Sequence, residues 1–198
     1  MSKDAAATRL LLVQAARRRF AFDGYRATTV RDIAADAGVN VALINRYFVS
    51  KEGLFRACLD RVVRDLRSEG DVEERQGPDL DRALGDLIGH IVQSPTDEDS
   101  MQLMLLLRSS GDDAADAIRR ETLRRYAERL AGVVGREVTD DLLVRAEIAL
   151  AVVLGMSMLR TSTQVEPLAS ADAASVAGPL EDALRALLSG TTAARSAE

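Results

Sequence analysis

Residues 28–54, TTVRDIAADAGVNVALINRYFVSKEGL, constrain the fold more than any other part of this 198-residue chain. Apolar residues recur at helical spacing on both sides of Gly38, which can adopt the positive φ of a tight turn. The pattern predicts a short helix over residues 30–36 and a second helix over residues 41–47. Two helices joined by a short turn that contains Gly form a helix-turn-helix, whose second helix enters the major groove of DNA.

Side chains that can cap a helix N-terminus stand where these helices should begin. A third helix is predicted to start at Lys51, directly after the cap candidate Ser50. The predicted caps are Thr28, Thr29, Asn40 and Ser50. An ordinary helical hairpin is the plain alternative, but the short turn, the polar second helix and the surrounding basic residues favour the helix-turn-helix.

The second helix carries the side chains that would read bases. Its outward-facing residues are predicted to be Val41, Ala42, Asn45 and Arg46, with Tyr47 at the end. Asn pairs bidentately with adenine and Arg with guanine, and each pair contributes about 1–3 kcal/mol of discrimination. Small apolar groups such as Val41 and Ala42 can contact thymine methyl groups.

The run from Gly24 to Phe55, GYRATTVRDIAADAGVNVALINRYFVSKEGLF, resembles the DNA-binding signature of the TetR/AcrR family of one-component transcriptional regulators. The chain departs from this family at two positions. The family usually has Tyr where Asn45 stands and His where Tyr47 stands. The resemblance therefore implies DNA binding without indicating which base sequence is bound.

The same resemblance implies DNA contacts beyond those of the second helix. Arg31, on the preceding helix, is implied to contact a base or a phosphate. Phosphate contacts are implied for Thr28, Thr29, Tyr47 and Lys51. Lys51 lies at a predicted helix start, where free backbone N–H groups also favour an anion.

For the whole chain, the resemblance implies an all-α fold of about nine helices. Residues 1–50 would form a three-helix DNA-binding head that contains the helix-turn-helix, and a fourth helix over residues 51–67 would connect it onward. Residues 51–190 would form a helical ligand-binding and dimerisation domain, with a disordered tail over residues 191–198. The remaining helices are predicted over residues 4–22, 79–93, 99–109, 112–134, 139–160 and 171–188, with loops at 68–78 and 94–97.

Charge divides the chain into two parts. Residues 1–67 contain 13 Lys and Arg against 7 Asp and Glu, a net charge of +6, and residues 68–198 carry −11. A basic head on an acidic body is the electrostatic pattern of a DNA-binding protein with a separate second domain. The adjacent Arg17, Arg18 and Arg19 have two open interpretations, phosphate contacts or a solvated basic face.

The predicted helix over residues 139–160 is apolar on nearly every face of its second half, which is typical of a helix buried on all sides. A chain of this size can hardly cover such a helix alone. Ala151 and Gly155, four residues apart, would allow a partner helix to approach closely. Together with the last helix, over residues 171–188, it is predicted to form a four-helix homodimer interface, which the family resemblance also implies.

An effector-binding core is implied for the C-terminal domain, with a mostly apolar pocket. The candidate ligand-binding residues are Met101, Met104, Leu105, Arg108, Met156 and Arg160. Ordinary core or surface positions are the alternative for each of them, and an inward-facing Arg108 or Arg160 would favour an anionic or carbonyl-bearing ligand. Five arginines of the predicted helix over residues 112–134 are interpreted as a solvated face, because acids lie between them: Arg119, Arg120, Arg124, Arg125 and Arg129.

Other functional classes find little support in the sequence. The chain has one His and one Cys, and neither a metal-binding spacing nor a Gly-rich phosphate loop occurs, so we expect no enzyme, no cofactor and no metal. Cys58 is interpreted as a buried apolar residue, and His90 as either structural or ligand-contacting. No apolar run reaches the ~20 residues of a membrane helix and no secretory signal is recognised, so a cytoplasmic protein is expected.

These observations predict a homodimeric, ligand-responsive DNA-binding transcriptional regulator. The resemblance implies a repressor that a small, largely apolar effector releases from a pseudo-palindromic operator. The expected partners are double-stranded DNA, the effector and a second copy bound through the last two helices, with no membrane. The alternative is a helical dimeric interaction module without sequence-specific DNA binding, which the basic N-terminal part disfavours.

Overall fold

The computed structural model describes residues 3–65, 79–92, 101, 104–107 and 111–190. Every regular element in these ranges is a helix and none of their residues lies in a strand. The predicted all-α class is therefore confirmed. The loops predicted at 68–78 and 94–97, the tail and Arg108 lie outside the described residues.

Nine helical segments occur in the described part of the chain, close to the predicted positions. Of the sixth, only the helical residues 101 and 104–107 are described. In chain order they are α1 (Lys3–Phe22), α2 (Val30–Asp36), α3 (Ala42–Phe48), α4 (Lys51–Asp65), α5 (Leu80–Val92), α6 (Met101 and residues 104–107), α7 (Asp113–Gly132), α8 (Asp140–Thr161) and α9 (Ala173–Ser189).

The chain divides into two compact units. The first contains residues 1–65 and 95–123, and the second contains residues 66–94 and 124–198, so the division falls within α7. The predicted separation into a head over residues 1–50 and a second domain over residues 51–190 remains a prediction.

Three aromatic rings form the centre of the first unit. Phe20 of α1, Tyr25 of the following turn and Phe55 of α4 have ring centroids 5.0 to 5.4 Å apart. Such pairs contribute about 0.5–1.5 kcal/mol beyond the burial of their area. Ile44 and Phe48 of α3 are also buried, so one side of this short helix is fixed to the core and the other faces outward.

The second unit is built on α5, the C-terminal part of α7, α8 and α9. Its centre is aliphatic, with small residues on α7 and α8 that let these helices pack closely. The core residues are Leu84, Ile88, Ile91, Ala127, Ala131, Leu142, Ala146, Ala149, Val153, Leu180, Leu184 and Leu188. At the surface Arg185 of α9 pairs with Asp81 of α5 at 2.5 Å, which joins these two helices.

An apolar side of α8 stays uncovered in the single chain. Val144, Ile148, Met158 and Leu159 are all at least 40% exposed. In the described part of the chain, α8 is the one helix long and apolar enough to cross a membrane by length and composition alone, and 28% of its most apolar window is buried within the protein. One side of α8 is therefore exposed in the single chain, and its burial against a second copy remains a prediction.

Candidate nucleic-acid interface

The first helix of the motif, α2, begins at a reciprocal capping box. The Thr29 hydroxyl oxygen accepts from the Asp32 backbone N–H at 3.2 Å, and the Asp32 carboxylate accepts from the Thr29 backbone N–H at 3.1 Å. The carboxylate also accepts from the Thr29 hydroxyl, and these bonds lower the pKa of Asp32. Both orphan donors at the helix start are satisfied, which confirms the predicted Thr29 cap.

The neighbouring Thr28 has a different role. Its side chain is buried and its hydroxyl donates to the carbonyl of Gly24 at 2.8 Å. Gly24 itself has φ of 87°, as expected for a residue that ends α1. Thr28 therefore fixes the turn between α1 and α2, and its implied phosphate contact remains a prediction.

The turn between α2 and α3 is a Schellman motif. Gly38 has φ of 66° and donates to the Ala35 carbonyl at 3.0 Å, and Val39 donates to the Ala34 carbonyl at 3.0 Å. The Asn40 side chain then accepts from the Ala42 backbone N–H at 2.8 Å. The predicted turn at Gly38 is confirmed. The predicted Asn40 cap is wrong by one position, because α3 starts at Ala42 and Val41 is its N-cap residue without a side-chain cap bond, whereas Asn40 braces the turn before it.

The predicted base-reading residues lie on the exposed side of α3. Ala42, Asn45 and Arg46 are exposed and fall at i, i+3 and i+4, so they share one face. Val41 is exposed at the N-terminal end, and Tyr47 is half-buried at the C-terminal end. This arrangement brings together short and long polar groups on a surface narrow enough for the major groove.

Aromatic contacts hold the last turn of α3. The Arg46 guanidinium lies 5.8 Å from the Tyr47 ring centroid, and the Tyr47 and Phe48 rings meet edge to face at 6.4 Å. The Arg9 guanidinium of α1 lies over the Phe48 ring, 5.0 Å from its centroid. Arg31 of α2 is exposed. These contacts place Arg46 and Tyr47 side by side, and their DNA contacts remain predictions.

Sequence reasoning missed two residues at the junction between α3 and α4. Val49 has φ of 69° and ψ of −43°, a rare conformation for a β-branched residue, and is 83% exposed. Gly53 lies so close to α3 that an added Cβ would overlap the Phe48 carbonyl oxygen. Its N–H donates to the Ser50 hydroxyl oxygen at 3.2 Å, which confirms the Ser50 cap. A Gly in the first turn of a helix was the available signal, whereas nothing in Val49 indicates a positive φ.

Lys51 lies against the aromatic centre of the first unit. Its Nζ is 4.2 Å from the Tyr25 ring centroid, a cation–π contact. Partial burial lowers the pKa of Lys51, and the nearby Asp112 and Glu52 oppose this change. The side chain remains half-exposed at the start of α4, where its implied phosphate contact remains a prediction.

The three adjacent arginines of α1 do not share one surface. Arg17 is buried and Arg18 is exposed. Arg19 makes a bidentate ion pair with Asp36 of α2, at 2.6 Å from Nε and 2.9 Å from Nη2, and reaches Asp23 at 3.1 Å. Arg19 therefore joins α1 to α2, a role that neither open interpretation included.

The candidate ligand-binding residues belong to both compact units. In the first, Met101 and Leu105 of α6 are buried and Met104 is partly exposed. In the second, Met156 is half-buried and Arg160 is buried. Their role remains a prediction, and Arg108 lies outside the described part of the chain.

Cys58 is an apolar core residue of the first unit. Cys58 is fully buried, with its Sγ 3.8 Å from the Val13 carbonyl, and burial raises its pKa, as expected for an apolar role. Within the described ranges no three His, Cys, Asp or Glu side chains gather in a way that could hold a metal ion.

The capped helix α2, the Schellman turn and the outward face of α3 define a helix-turn-helix protein. Residues 12–58 match the family described as bacterial regulatory proteins, tetR family, and residues 81–188 match the tetracyclin repressor-like C-terminal domain. The chain belongs to the TetR family of bacterial regulatory proteins, and the resemblance found in the sequence is confirmed.

Relatives of known role match one part of the chain. The HTH-type transcriptional dual regulator CecR of Shigella flexneri is 42% identical over 78 residues, 36% of this chain and 34% of that protein. An HTH-type transcriptional repressor of Mycobacterium tuberculosis is 40% identical over 85 residues, 38% of this chain and 45% of that protein. The matches thus span less than half the length of these relatives.

Solved structures match nearly the whole chain. A TetR-family regulator from Streptomyces coelicolor is 25% identical with a TM-score of 0.56, covering 96% of this chain and 98% of that one. A TetR-like transcriptional regulator from Rhodococcus sp. RHA1, 22% identical with a TM-score of 0.58, covers 93% of this chain and 97% of that one, and supports the fold.

Proposed function

We propose that this protein is a homodimeric, ligand-responsive DNA-binding transcriptional regulator of the cytoplasm. In this proposal it is a repressor, and a small, largely apolar effector releases it from a pseudo-palindromic operator. The exposed face of α3, fixed from behind by Ile44 and Phe48, is the observation that carries the proposal. The relative from M. tuberculosis, named as a repressor, supports repression.

Charge supports the orientation in which the head meets DNA. The N-terminal 67 residues carry a net charge of +6 and the remainder −11. A phosphate backbone attracts the first part and repels the second, so the head turns towards the duplex during encounter. Asn45 and Arg46 then read base edges, Val41 and Ala42 contact thymine methyl groups, and Lys51 holds a phosphate.

The uncovered side of α8 supports dimerisation through α8 and α9. Val144, Ile148 and Met158 are exposed along this helix. Ala151 and Gly155 are exposed between them, and an added Cβ at Gly155 would meet no atom within 4 Å. This apolar stripe with small residues at its middle suits a second α8, and the dimer would present two heads to two half-sites.

The effector releases the protein from the operator if it binds two geometries of the dimer with unequal affinity. A ligand shifts a conformational equilibrium only by its difference in affinity for the two states. An effector bound at the candidate residues of α8, Met156 and Arg160, would favour the geometry whose half-site spacing does not fit the operator.

The test is binding to a labelled duplex selected from a random pool, against a scrambled duplex, over a salt series. The logarithm of the binding constant should fall linearly with the logarithm of the salt concentration, with a slope of about −0.9 for each phosphate contacted. Arg46→Ala should weaken binding to the selected duplex by about 5- to 150-fold, the equivalent of one lost base contact. Lys51→Ala should weaken both duplexes alike and lower the salt slope.

Arg124→Ala is the matched control, because Arg124 is exposed and pairs only with Glu128 of its own helix at 3.0 Å in the described structure. It should bind both duplexes as the wild type does. Equal affinity of the wild type for both duplexes would contradict specific reading. No binding at low salt would refute the regulator and favour the helical interaction module.

A further inference from the structure

The buried side of α8 ends in a charged residue. Its buried positions are Leu142, Ala146, Ala149, Val153 and Arg160. The first four belong to the aliphatic core of the second unit. Arg160 therefore stands in the core-facing row where a further aliphatic residue would fit, and only 5% of it is exposed.

Arg160 has little to compensate its burial. Its Nη2 donates to the Ala171 carbonyl at 3.3 Å, whereas Nε and Nη1 are buried without an acceptor. The two acids that follow α8 are engaged elsewhere, since Glu166 accepts from Ser170 and Asp172 caps α9. Within the described residues no carboxylate forms an ion pair with this guanidinium.

A guanidinium cannot lose its proton at any accessible pH, so burial does not neutralise it. The end of a helix favours a cation through its dipole but provides no acceptor for Nε or Nη1. Nη2 carries one hydrogen on each forked edge of the group, and Ala171 occupies one of them. One edge with two donors therefore stays complete, and a planar carboxylate is the anion that matches it.

We propose that Arg160 binds the carboxylate of a small acid whose remaining part is apolar. The apolar part is indicated by Val153, buried two turns earlier in the same row, and by the half-buried Met156. Naming this acid as the effector rests on the proposed function. The binding site itself does not, because it is argued from the buried guanidinium, which an anion would stabilise whether or not DNA is released.

The experiment is thermal unfolding of the full chain with a series of acids and their uncharged amides. The acids are straight-chain carboxylates from acetate to hexadecanoate, benzoate and phenylacetate. At least one acid should raise the Tm of the wild type and bind at least tenfold more tightly than its amide. Arg160→Met should remove this preference. Arg145→Met, on the same helix and paired with Asp141 at 2.7 Å, is the control and should retain it.

Without ligand, Arg160→Met should unfold at the wild-type temperature or above it, because an apolar residue replaces a buried unpaired charge. A lower Tm would show that Ala171 already satisfies the guanidinium, and this would overturn the proposal. The proposal is equally wrong if no acid distinguishes the wild type from Arg160→Met.

Operator binding by the ligand-free protein tests the proposed function independently of the Arg160 site. A protein that does not bind DNA would refute the regulator and leave the Tm comparison unaffected. An acid that binds through Arg160 but leaves the operator complex intact would confirm the site and refute its role as effector site.

Discussion

Replacing Gly53 by Ala should destabilise the protein, although Gly→Ala within a helix normally stabilises it by about 1 kcal/mol. An added Cβ at Gly53 would lie 3.1 Å from the Phe48 carbonyl carbon and closer still to its oxygen. A backbone carbonyl cannot rotate away as a side chain can. Overpacking typically costs about 1–3 kcal/mol, and at the upper end the net loss would be about 2 kcal/mol. In a domain of this size that lowers the Tm by about 4–8 °C.

Gly85→Ala in α5 is the matched control, because an added Cβ there would meet no atom within 4 Å. It should raise the Tm by about 2–4 °C, so the two substitutions have opposite signs. Differential scanning calorimetry measures both. The same displacement would shift the end of α3, so Gly53→Ala should also weaken operator binding more than tenfold, as fluorescence anisotropy can show. A Gly53→Ala protein as stable as Gly85→Ala, with unchanged operator affinity, would refute the close approach.

Three further predictions concern single contacts. Val49→Gly should leave the Tm unchanged or raise it, because relief of about 1–2 kcal/mol of positive-φ strain offsets the entropy cost of Gly. Val138→Gly, at another exposed Val outside the helices with no positive φ, should lower it. The Arg19 side chain lowers the pKa of Asp36, so the ion pair stabilises the fold above about pH 4 and this stabilisation is lost as the pH falls further. The Tm difference between the wild type and Arg19→Met should therefore shrink below about pH 4. A constant difference would contradict the ion pair. Ile148→Glu should convert the dimer to monomer in sedimentation experiments without unfolding it, since Ile148 is 47% exposed in one chain; an unchanged dimer would place the interface elsewhere.

Local signals in the sequence sufficed to predict the helices and their starts. A cap and the N–H group that it accepts lie within three residues of each other, so the chain carries both partners in one short stretch. Thr29 and Ser50 each accept from the backbone N–H of the third residue after them, as predicted. Thr139 does the same at the start of α8. The helix-turn-helix follows the same logic, since Gly38 and Asn40 act on neighbours. The outward face of α3 could therefore be derived before any long-range contact was known.

Long-range contacts account for what the sequence did not predict. Arg119 was interpreted as part of a solvated face, but it is buried, donates to the Leu105 carbonyl at 3.0 Å and lies 5.6 Å from the Phe55 ring. Neither partner is near it in the sequence. Arg17 is buried for the same kind of reason, on a helix that is packed on more than one side. Helical periodicity separates apolar from polar faces, but it does not indicate how many faces are covered.

The contacts within the head bear on how release from DNA can occur. Arg19 joins α1 to α2, Arg9 packs on Phe48 of α3, and the Gly53 junction leaves no room between α3 and α4. Each of these fixes a different pair of neighbouring helices, so a rearrangement inside the head would break several contacts together. In the proposed function the effector therefore acts on the distance between the two heads of a dimer and not on the shape of α3. Isolated half-sites should then be bound equally well with and without effector, whereas the full operator should not. Loss of half-site affinity on adding the effector would place the change within the head.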